Sequence, residues 1–168
     1  MAKIKSTLDL VMERTKNISI TEEEKEELRR KEWTDKTRAW VRKIMDRKMT
    51  MTELRSSFTS SMASYPGVES IMRKDLVSHI DPDENNTAVF RALQEVLGID
   101  VEPFKEAVRA YHGRINLDCS EFLERSKSEL IHKGISGTAV VPNLENDQAW
   151  TASMKRRKEE LRNQLKGI

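Results

Sequence analysis

Cysteine occurs once in the 168 residues, at Cys119, so the chain can close no internal disulfide and has too few thiolates for a zinc site. A reducing, cytoplasmic setting is the expectation. Histidine occurs three times, with no HExxH or comparable paired spacing, which removes the usual sequence signature of a metal-dependent hydrolase. No stretch approaches the ~20 apolar residues that a membrane helix needs. The opening MAKIKSTLDLVMERTK is broken by Ser6, Asp9, Glu13 and Arg14, so it does not read as a signal peptide. Aromatic residues make up 5% of the chain, so a core must be built from Leu, Ile, Val and the eight pliable Met. Nor is there a charge of one sign: the net charge is +2, which gives the chain as a whole no strong hold on nucleic acid or an acidic membrane.

What is present is charge of both signs. Charged residues are 35% of the chain and hydrophobic ones 37%, a balance that suits elements with narrow buried stripes and wide solvated faces. The charge is segregated: five Glu and one Lys occupy 17–28, nine basic and three acidic residues occupy 29–48, and six basic and two acidic residues occupy 154–168.

The hydrophobic spacing is helical almost throughout. Ser6 with Asp9 opens a short helix to about 16, and Ser19 or Thr21 caps a long one over about 20–48, acidic first and basic last as the helix dipole favours. Thr50 with Glu53 forms a capping box before Met51, Leu54, Phe58 and Met62, and Pro66-Gly67 stops that run. Further helices are expected from Val68 to the Asp81-Pro82 break and from about 84 to 97, where Gly98 ends the last turn. Asp100 with Pro103 opens a helix to Gly113, and Asp118 with Glu121 opens another to Gly134, together a helical hairpin. The segment 135–142, with two glycines nearby, Ala139-Val140-Val141 and Pro142, reads as extended, and helix returns over about 145–166. The expected fold is all-α: an irregular bundle of about seven helices in one domain over 1–168. Its compact core is placed at about 50–133, with the charged helices at 20–48 and 145–166 packing on it or projecting.

Chemistry-bearing motifs are sparse. His79, His112 and His132 all fall in expected last turns, where the helix dipole and free carbonyls account for them. Cys119 falls at an expected helix start, where a thiol gains acidity, but Asp118 and Glu121 oppose that. Asp81-Pro82-Asp83-Glu84-Asn85-Asn86 resembles the start of a calcium loop. It carries Asn86 where glycine is needed and Ala92 where a bidentate glutamate is needed, so a turn with an N-cap is expected. Lys133-Gly134-Ile135-Ser136-Gly137 has a GxxG spacing without the following helix or strands that phosphate or RNA loops require, and reads as a helix cap. No catalytic residue, cofactor or metal is expected.

Two functional readings follow. The first is a non-enzymatic, self-associating interaction or assembly protein, whose partner is a second copy or another chain. Its contacts are Trp33, Trp40, Val140, Val141, Trp150 and Met154, since large apolar side chains on charged helices are usual interface anchors. The alternative is nucleic-acid binding through Arg29, Arg30, Lys31, Arg38, Arg42 and Lys43 together with Lys155, Arg156, Arg157 and Lys158, with the tryptophans available for stacking.

Overall fold

A computed structural model describes residues 21–138 and 140–168. The helix expected at 6–16, and Ala139, lie outside the described residues. Six α-helices follow in order: α1 (Glu22–Met45), α2 (Met51–Met62), α3 (Val68–Ser78), α4 (Thr87–Glu95), α5 (Glu102–His132) and α6 (Gln148–Gly167), with one 3₁₀ turn at Leu144–Asn146. No strand occurs among the described residues. The all-α multi-helix architecture is therefore as the periodicity implied.

The helix starts are set by local hydrogen bonding. Thr21 Oγ1 accepts from the Glu24 N–H while the Thr21 N–H donates to Glu24 Oε2 at 2.8 Å, and Thr50 with Glu53 repeats the reciprocal arrangement at α2. Each box satisfies two of the donors that a helix start leaves open. At the far end of α5, Gly134 (φ 78°) takes the left-handed conformation. Its N–H donates to the Ile131 carbonyl and the Ile135 N–H to that of Leu130, both at 2.9 Å, the paired closure of a Schellman cap.

α3 is the hub, packing against α1, α2, α4 and α6, and it supplies Val68, Met72, Leu76 and Val77 to the core. Val41 and Ile44 of α1, Leu54 and Phe58 of α2, and Val89, Ala92 and Leu93 of α4 close around it. Phe104, Ala107 and Tyr111 come from the first third of α5, and Leu161 and Leu165 from the end of α6. The core is thus drawn differently from 50–133. It takes in parts of both long charged helices, because their sparse stripes concentrate their apolar residues at the ends that meet α3, and it excludes 112–133.

The helical hairpin expected at 100–134 is a correction of substance. Gly113 does not end a helix: α5 runs 31 residues through it, and its φ is not in the left-handed region that Gly98 and Gly134 adopt. One glycine inside a helix costs only about 1 kcal/mol relative to alanine, less than a new turn with two new caps. Asp118, expected as an N-cap, is mid-helix and spends its carboxylate elsewhere. Cys119 and His112 consequently sit in mid-helix as well, not at a helix start and a last turn. The distal two-thirds of α5 contribute no residue to the buried core and form, with the 3₁₀ turn and the start of α6, a two-helix arm.

Candidate interaction surfaces

The arm is held by a few specific contacts. Midway along it, Arg157 Nε and the second guanidinium nitrogen donate to the two Asp118 oxygens at 2.8 and 3.1 Å, a bidentate pair between α6 and α5 whose side chains are mostly buried. The guanidinium holds the Asp118 carboxyl below the usual carboxylate range. Farther out, Phe122 and Trp150 meet edge to face at 5.4 Å, and Asp147 accepts from the Ala149 and Trp150 N–H groups to start α6.

At the tip the apolar residues are open to solvent. Ile131 is 60% exposed, Ile135 49% and Val141 79%, and with Leu123, Val140 and Pro142 they line a cleft of about 330 Å³. Two features put them there. The cap at Gly134 turns the chain back along the end of α5, and residues 140–143, without a strand to pair with, lie beside it.

The six expected interface residues do not form one surface. Trp33 stacks on Tyr65 with centroids 6.2 Å apart and planes 3° from parallel, and Lys36 Nζ lies 4.4 Å from its ring centre. Trp40 is half-buried against the core. Both tryptophans of α1 are thus partly covered by contacts within the molecule. Trp150 is occupied by Phe122, and Met154 is half-buried on α6. Val140 and Val141 remain at the tip, joined there by Ile131 and Ile135.

The expected nucleic-acid residues also divide. Arg29, Arg30, Lys31, Arg38, Arg42 and Lys43 are exposed along α1. The run on α6 is largely used: Arg157 binds Asp118 and also Glu160, and Arg156 approaches Glu160 at 3.9 Å. Lys158 Nζ bridges Asp81 at 2.9 Å and Asp83 at 2.8 Å. Those bonds, to Asp83 first, raise the Lys158 pKa. The acidic turn that resembled a calcium loop therefore carries an internal cation, and Asn86 braces it by accepting from the Asp81 N–H and donating to the Asp81 carbonyl.

His79 and His132 each donate Nδ1–H to the carbonyl four residues back, at 2.8 and 2.7 Å, the end-of-helix role expected of them. Asp75, beside His79, is pushed up by burial, against the pull of His79, Arg38 and Arg42, and its Oδ2 has no hydrogen-bond partner among the described residues. Among the described residues no three His, Cys, Asp or Glu side chains could hold a metal ion, and no helix is long and apolar enough to cross a membrane. No family model, no curated protein sequence and no solved structure matches the chain.

Proposed function

We propose that the protein is a non-enzymatic helical assembly protein of the cytoplasm that associates with a second copy of itself through the tip of the arm. The observation that carries this is the exposure of Ile131, Ile135 and Val141 together, at the end of a projecting element and around a shared cleft. Scattered single apolar residues on a surface need no explanation, but a contiguous group at a rim of polar side chains marks a contact site. Lys127 borders the cleft and approaches Glu124 at 3.6 Å, so charge of both signs stands beside the apolar group. A two-fold contact places the same patch on both partners, so one such patch suffices.

The test is oxidative cross-linking of Val141→Cys in a Cys119→Ser background. Contact between tips gives a covalent dimer at dilute concentration, and the same substitution at exposed Glu69, on α3 in the helical body, gives none. Equal cross-linking at the two positions, or none at either, overturns the reading. Nucleic-acid binding is the second reading, supported by the exposed basic side chains of α1 and weakened by the ion pairs that occupy Arg157 and Lys158. A salt-dependent shift of a labelled strand, lost when Arg38 and Arg42 are replaced by glutamine, would favour it.

A further inference from the structure

Away from the arm, the C-terminal halves of α3 and α6 enclose a cleft of about 570 Å³ with four cations on its walls, Arg73 and Lys74 from α3 and Arg162 and Lys166 from α6. Val77 and Leu165, both buried, form its floor. The geometry follows from helical spacing. Arg73 and Val77 are four apart, as are Arg162 and Lys166, so each helix presents cations around an apolar residue on the face it turns to the other. No carboxylate lines this cleft, and none of the four cations has a salt-bridge partner among the described residues. Arg91, Arg109, Arg157 and Lys158 differ in this respect, each with a carboxylate at 2.9 Å or closer.

The helix dipole accounts for Lys166 alone, in the last turn of α6; Arg73 and Lys74 lie before the last turn of α3. The four cationic side chains are exposed and repel one another around the apolar floor, a repulsion that water screens without removing. A ligand with several negative charges removes that repulsion, and the volume is that of a small-molecule site.

We infer that the α3/α6 cleft binds a compact small molecule bearing two or more adjacent phosphate groups. A nucleic-acid strand fits less well because the cationic surface is interrupted. Lys74 also borders the neighbouring α1/α3 cleft, but there Glu26 and Asp75 stand among Arg30 and Arg38, and farther along α6 Arg157 and Lys158 are taken by Asp118, Glu160, Asp81 and Asp83. A short cluster of unpaired cations with acidic residues on both flanks selects a short anion.

Titration calorimetry with sodium tripolyphosphate tests this, beside a single-stranded oligonucleotide of about 20 residues. Tripolyphosphate is expected to bind the intact protein at one site. The pair Arg162→Gln and Lys166→Gln should weaken it at least tenfold, about 1.4 kcal/mol, and Arg73→Gln with Lys74→Gln should do the same from the opposite wall. Arg156→Gln, outside the cleft, should leave it unchanged. Circular dichroism identifies any variant that fails to fold, and the pair on the other wall then decides. Absence of binding, equal weakening by the Arg156 variant, or tighter binding of the oligonucleotide than of tripolyphosphate each overturns the inference.

Discussion

Replacing Gly113 with alanine separates a continuous α5 from the hairpin that its sequence suggests. In the structure the residue is helical with ordinary negative φ, and a Cβ placed there would meet no atom within 4 Å. The substitution therefore removes the helical cost of glycine without adding strain or overlap, and stability should rise by about 1 kcal/mol. For a chain of this size that corresponds to a melting temperature higher by roughly 2–4 °C. Urea unfolding followed by circular dichroism should show a higher midpoint with the slope unchanged. If the arm opens independently of the body, the gain appears as slower amide hydrogen exchange around 109–117. Were Gly113 instead a left-handed cap between two helices, alanine would cost about 1–2 kcal/mol. A fall in stability would refute the continuous helix and with it the projecting arm.

Other consequences are as direct. The Tyr111 hydroxyl is buried without a hydrogen-bond partner among the described residues, so Tyr111→Phe should keep or raise stability, by up to about 1 kcal/mol in urea unfolding; a clear loss would mean the hydroxyl is satisfied. Lys158→Ala leaves Asp81 and Asp83 facing each other and, discounted for the exposure of the site, should cost about 1 kcal/mol, a loss that high salt reduces. Asp118 in the arm and Asp75 in the body should respond to pH in opposite directions. Asp118 is held below its unfolded value, so its contribution is present above about pH 4 and is lost as pH falls through the folded value; Asp118→Asn should flatten that acid limb. Asp75 is raised by burial, so its contribution is lost as pH rises through the folded value, and Asp75→Asn should improve stability at pH 7 relative to pH 4. Unfolding curves of the two variants across that range would expose an error in either sign.

Much of this architecture is written locally. Thr21 with Glu24, Thr50 with Glu53, Gly98 and Gly134 act through bonds to residues three to six positions away, and each is visible in a short stretch of sequence. Gly113 and Asp118 mislead for the same reason, because a glycine followed by Asn116 and Asp118 has the local form of a cap. What decides the matter is Arg157, 39 residues further on, which takes the Asp118 carboxylate. The absence of proline or a turn cluster between 111 and 118 was the available signal for a through-going helix.

The surfaces follow the same division. Val140 and Val141 stood out because a β-branched run without a partner is anomalous in a helical chain. Trp33, Trp40 and Trp150 stood out by size, yet their partners Tyr65, the core and Phe122 come from elsewhere in the chain and bury much of them. The basic cleft was illegible because it joins Arg73 and Lys74 to Arg162 and Lys166, and no window of sequence holds both pairs. Lys158, named for phosphate contact, is claimed by Asp81 and Asp83 through a contact spanning 75 residues.

The most direct test of self-association through the arm is light scattering behind size exclusion, from micromolar to millimolar protein at low and high salt, on the native chain and on Ile131→Asp with Val141→Asp. The native chain should form a dimer that persists at high salt, since its contact is apolar, and the double variant should remain a monomer with unchanged helicity. A native monomer at every concentration, or a dimer indifferent to both aspartates, would contradict the assignment of the tip as the contact surface.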